Sequence, residues 1–160
     1  MKFNKKEVFW FFGVLLLTLV SSLVVFGFEA LKTDAAFDIN IHDSYFVFSN
    51  RPPTVAFILF IFFSIYFFRM LKGGFKNSTV NVIFIFTNIL FVLALFKINS
   101  IVNVMSNIKI DSESYATLDK VSPVENLFNM FSNVLYVIQI IVLFLLAYSG
   151  FKAGRNYKAA

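Results

Sequence analysis

Four stretches of this chain run without a charged side chain for about the thickness of a bilayer. Val8 to Phe28 is 21 residues, the run between Arg51 and Arg69 is 17, that between Lys76 and Lys97 is 20, and that between Glu125 and Lys152 is 26. At ~1.5 Å rise per helical residue, about 20 residues cross a hydrocarbon core of ~30 Å. Backbone polar groups in lipid must be satisfied within the segment, which leaves helices or a closed barrel. A barrel needs alternating strands of about ten residues, and these runs do not alternate. The sequence therefore predicts an all-α integral membrane four-helix bundle, one membrane domain over 1–160, with spans at 8–28, 53–69, 78–97 and 126–150. Composition agrees: 59% of residues are apolar and 14% charged, against roughly 45–50% and ~25% in soluble domains.

Local signals mark the ends of these runs. The first exceeds the ~7–15-residue apolar region of a secretory signal, and with Met1 in front of it an uncleaved anchor is expected. Pro52 and Pro53 open the second, where a missing N–H has no intrahelical partner to lose. Lys72-Gly73-Gly74 breaks the helix before the third. Ser122-Pro123-Val124-Glu125 reads as a capping box ahead of the fourth, with Ser122 accepting from the Glu125 N–H. Beyond Lys97, Ile98, Ile101, Val102, Met105 and Ile108 keep helical spacing. They predict an amphipathic extension of the third span whose polar face carries Asn99, Asn103 and Lys109.

Charge sets the expected orientation. The N-terminus, the segment between spans two and three, and the C-terminus carry Lys2, Lys5, Lys6, Arg69, Lys72, Lys76, Lys152, Arg155 and Lys158, with one acid, Glu7. The other side carries five cations and eight acids. Nine lysines and arginines against five put both termini in the cytoplasm. The outer loops are then 29–52 and 98–125. In the first, Phe37-Asp38-Ile39-Asn40-Ile41-His42 alternates apolar and polar, the pattern of a half-buried strand, which here would lie flat on the bilayer or on another subunit.

Several chemistries are closed by residue count. With no cysteine and one histidine, thiolate metal sites, disulfides and bis-histidine haem ligation from this chain alone are excluded. The basic residues stand in short clusters beside apolar runs, the distribution of membrane anchoring rather than of nucleic-acid binding. No Asp or Glu lies inside a span, where proton relays and pumps place them, and no nucleophile-and-base constellation is present. The chain is therefore expected not to be an enzyme and to hold no cofactor.

Two groups of residues remain as candidate sites. His42 and Asp43 in the first outer loop, with Glu29, Asp34 and Asp38 nearby, form a candidate outer-face divalent-cation site or a hydrogen-bonded turn. The second group is a set of amides at membrane depth. Asn126, Asn129 and Asn133 share one face of the fourth helix, and Gln139 lies deeper in it. Asn81, Asn88, Asn99 and Asn103 fall on one stripe of the third. Such amides either hydrogen-bond helix to helix or line a pore.

Residues 37–47, Phe-Asp-Ile-Asn-Ile-His-Asp-Ser-Tyr-Phe-Val, resemble the segment of the haem–copper oxidase large subunit that reads approximately Leu-Asp-x-x-x-His-Asp-Thr-Tyr-Tyr-Val. In that family the His-Asp pair stands at the outer membrane face near the haem propionates and a bound magnesium. The resemblance implies such an outer-face role for His42 and Asp43. The family's haem-ligating His-x-His is replaced here by Asn50-Arg51-Pro52, so haem binding is not implied.

Together these readings lead to a non-catalytic accessory or structural subunit of a larger bacterial inner-membrane complex, with a respiratory assembly suggested by the resemblance. Its expected partners are lipids, other integral membrane subunits and a protein on the extracytoplasmic side. The alternative is a small homo-oligomeric channel or carrier with asparagine-lined helix faces.

Overall fold

The computed structural model describes residues 5–28, 32, 35–41, 44–106 and 123–158. Among them are four helices, α1 Lys5–Phe26, α2 Arg51–Lys72, α3 Ser78–Ser106 and α4 Pro123–Lys158, and two strands, β1 Ala36–Ile41 and β2 Ser44–Ser49. All four helices are long and apolar enough to cross a membrane, which makes the chain a multi-pass membrane protein.

The helices do not stop where the charges stand. Lys5, Arg51 and Lys72 are helical, and α4 continues eight residues past 150 to Lys158. The charges mark the edge of the apolar run, whereas helical hydrogen bonding continues until a residue interrupts it. At the end of α1 that residue is Gly27, with φ 63°. The extension of the third span is realised, since α3 runs unbroken to Ser106. At the start of α4, Pro123 is the first helical residue, while Ser122, the proposed cap, lies outside the described residues.

The all-α expectation holds, with one small hairpin added to the four helices. Within the segment assigned as outer loop 29–52, β1 and β2 pair antiparallel from Ala36↔Ser49 to Ile41↔Ser44. The alternation that pointed to a strand thus found its partner in the next six residues of the same chain. The hairpin is fixed to the bundle by Asn50, which is buried at the start of α2. Its N–H donates to the Ala35 carbonyl at 3.1 Å, and its Oδ1 accepts from Thr54 Oγ1 at 3.2 Å.

Packing follows chain order: α1 lies against α2, α2 against α3, and α3 against α4. α3 is consequently the most buried helix and α1 the least. Between α2 and α3 the core is aromatic. Phe63 sits 5.4 Å from both Phe84 and Phe91, and Phe67 sits 5.8 Å from Phe84, centroid to centroid. These are offset, tilted geometries that the ring quadrupoles favour. α1 meets α2 through Val14, Thr18 and Ser22, small residues four apart that permit close approach. The two hydroxyls donate to the carbonyls of Leu15 and Leu19 in their own helix, so neither is left unsatisfied in an apolar interface.

The α2–α3 turn uses two consecutive left-handed residues, Gly74 at φ 58° and Phe75 at φ 64°. Glycine adopts this region freely, and phenylalanine does not. Phe75 is held there by burial (4% exposed), by an edge contact with Tyr148 and by the Lys152 ammonium 4.7 Å from its ring. In the same turn the Phe75 N–H donates to the Met70 carbonyl.

Candidate functional site

Polar chemistry is concentrated at two levels of the bundle. At the level of the α2–α3 turn, Arg69 Nη2 reaches Glu7 Oε2 at 2.9 Å and Oε1 at 3.1 Å, and Asn77 Nδ2 donates to Glu7 Oε1 at 3.0 Å. Asn77 also caps α3, its Oδ1 accepting from the N–H groups of Thr79 and Val80, as an N-cap side chain does. One acid therefore joins α1, α2 and the start of α3. The guanidinium lies over the rings of Trp10 (4.8 Å) and Tyr66 (5.6 Å), a cation–π arrangement that stabilises a partly desolvated cation. Asn156 of α4 donates to the Gly74 carbonyl at 3.1 Å. The beginning of α1 and the end of α4 thus lie at the same end of the bundle as the α2–α3 turn.

At the opposite end the seam between α3 and α4 is polar. Ser132 Oγ lies 2.7 Å from Asn99 Oδ1 and 2.7 Å from Asn103 Oδ1, and Asn103 Nδ2 lies 3.4 Å from Tyr136 Oη. A hydroxyl has one proton to donate. With the Asn99 amide turned so that its N–H donates, all the contacts are satisfied in one direction, Asn99 to Ser132 to Asn103 to Tyr136. Asn99 and Asn103, which the sequence placed on the polar face of an amphipathic extension and on a stripe for helix-to-helix hydrogen bonds or a pore, are turned to α4. A helix with a polar neighbour satisfies its amides there rather than in solvent.

The other sequence-derived residues separate into two surfaces. Gln139 is buried on the same face of α4 as Ser132, whereas Asn126, Asn129 and Asn133 are exposed on the face turned away from α3. Asn88 is fully buried at 0% exposure, and among the described residues neither its Nδ2 nor its Oδ1 has a partner; the same holds for Gln139 Nε2. Asn81 donates to the Phe75 carbonyl at 2.8 Å, leaving its Oδ1 unpaired. His42 and Asp43, the candidate cation ligands, lie outside the described residues. The positions where the oxidase resemblance would have haem ligands hold the cap and first residues of α2.

No protein-family model, curated protein or solved structure matches this chain.

Sequence reasoning missed the Glu7 cluster as a site and counted Glu7 and Arg69 only among the flanking charges that set the orientation. The available signal was composition: Glu7 is the one acid among nine cations on its side. An isolated carboxylate so close to an apolar run is stable there chiefly with a cationic partner.

Proposed function

We propose that the chain is a non-catalytic accessory subunit of a larger membrane protein complex, held in a bacterial inner membrane with both termini in the cytoplasm. The observation that carries the reading is the face of α4 bearing Asn126, Asn129 and Asn133, which is exposed and, among the described residues, distinct from the face that buries Ser132, Leu135 and Gln139. Ser132 is tied to Asn99, two residues beyond Lys97, so this stripe starts at the edge of the apolar layer and continues outward along a rigid helix. Side-chain amides in such a position suit hydrogen bonding to another subunit. The hydrogen bonds that link Ser132 with Asn99 and Asn103 favour helix packing over a pore as the use of the amides in the α3–α4 seam. The cation-rich end, with Arg69, Lys72, Lys76, Lys152 and Arg155, supports the cytoplasmic placement of the termini. The resemblance of residues 37–47 to an oxidase segment makes a respiratory assembly the first host to test.

Purification in mild detergent with stoichiometric mass spectrometry tests the proposal. At least one other integral membrane chain is expected in fixed ratio, and Asn126→Leu/Asn129→Leu/Asn133→Leu should reduce its recovery while α-helical content is unchanged. Recovery of a lone monomer or of a homo-oligomer would contradict it.

A further inference from the structure

An open groove of about 480 Å³ runs between α2 and α3 at the hairpin end of the bundle. Its walls are Val55 and Leu59 from α2 and Leu90, Leu93 and Ala94 from α3, and its outer end holds Pro52 and two cations, Arg51 and Lys97. The arrangement follows from helical spacing. Arg51, Val55 and Leu59 are four apart on one helix, while Leu90, Leu93 or Ala94, and Lys97 are three to four apart on its antiparallel neighbour. Each helix therefore contributes an apolar strip ending in a positive charge, and both charges border the same groove.

Among the described residues neither Arg51 nor Lys97 has an ion pair or side-chain hydrogen bond, and the groove has no acidic lining residue. Two like charges sharing one end of an apolar groove repel, and an anion between them would offset that repulsion. Snorkelling would carry each side chain separately to the interface, but it gives no reason for the pair to crown one cleft. We propose that the groove binds one anionic phospholipid, its headgroup phosphate between the Arg51 guanidinium and the Lys97 ammonium and an acyl chain along Val55, Leu59, Leu90 and Leu93. The pairing of a cationic rim with an apolar floor matches an amphiphile rather than a soluble anion.

Native mass spectrometry of the full chain in detergent, titrated with equal amounts of phosphatidylglycerol and phosphatidylcholine, tests the assignment. Phosphatidylglycerol is expected to be retained roughly tenfold better, and Arg51→Gln/Lys97→Gln should abolish that preference. Leu93→Trp, which fills the groove and leaves the charge unchanged, should reduce phosphatidylglycerol retention in a chain whose size-exclusion profile and helical circular dichroism are those of wild type. Inorganic phosphate at the same concentration should leave the lipid-bound species unchanged. Equal retention of the two lipids by wild type, a preference that survives in the double glutamine variant, or displacement by inorganic phosphate would each overturn the proposal.

Discussion

Arg69 and Glu7 are 62 residues apart in the chain, yet they form a two-pronged ion pair of 2.9 and 3.1 Å that fixes the start of α1 against the end of α2. α1 packs only against α2 as a principal neighbour and is the least buried helix. Its register therefore depends on the small-residue seam and on this pair.

Glu7→Gln should loosen α1. Removing one partner of a largely buried pair leaves the other charge uncompensated, a loss of about 3 kcal/mol. Because Arg69 keeps some access to solvent (22% for its side chain), the loss should fall at or below that figure. A double-mutant cycle with Arg69→Gln, read by reversible unfolding in detergent, is expected to give a coupling of about 1 kcal/mol or more. Additive effects would mean that the two side chains do not act together.

Ser132→Ala removes the central hydroxyl of the α3–α4 seam. Interhelical hydrogen bonds in membranes average about 0.6 kcal/mol, and two contacts are broken here, so a loss of roughly 1 kcal/mol is expected. Asn129→Ala, on the exposed face of the same helix, should change the stability of the isolated chain by less than about 0.5 kcal/mol. Equal effects would contradict the assignment of these residues to different faces.

Asn88→Leu should be neutral or stabilising. A buried amide without partners carries a desolvation penalty of about 1–3 kcal/mol, which an apolar side chain does not. A rise in melting temperature is expected. A marked fall would show that Asn88 is bonded in solution, most simply to a buried water.

At the α2–α3 turn, Phe75→Gly should be less destabilising than Phe75→Ala by about 1 kcal/mol. Both substitutions lose the ring contacts with Tyr148 and Lys152, but only glycine regains an unstrained backbone at φ 64°. Thermal unfolding of the two variants gives the comparison directly.

Much of this architecture was legible because bilayer thickness is a length standard. Uncharged runs such as Val8–Phe28 predict helices, and the break at Gly73-Gly74 predicts the turn. Helix ends were less legible, since Lys5, Lys72 and Lys158 extend their helices into the charged flanks, where apolar periodicity carries no signal. The hairpin was half visible: the alternation of residues 37–42 announced one strand, but Ser44–Ser49 has no comparable pattern and pairs through its backbone. Which neighbour each asparagine meets depends on helix rotation, a tertiary property. Asn99 and Asn133 are both polar residues on membrane-spanning helices, and only packing shows that one is covered by Ser132 and the other is exposed.

The central claim is a chain that crosses the membrane four times with both ends on one side. Because the sequence has no cysteine, single cysteines report accessibility without background. Lys5→Cys, Lys76→Cys and Arg155→Cys should react with a membrane-impermeant maleimide only after cells are permeabilised, while Val47→Cys should react in intact cells. Labelling of Lys5→Cys and Arg155→Cys from opposite sides would contradict the four-span arrangement.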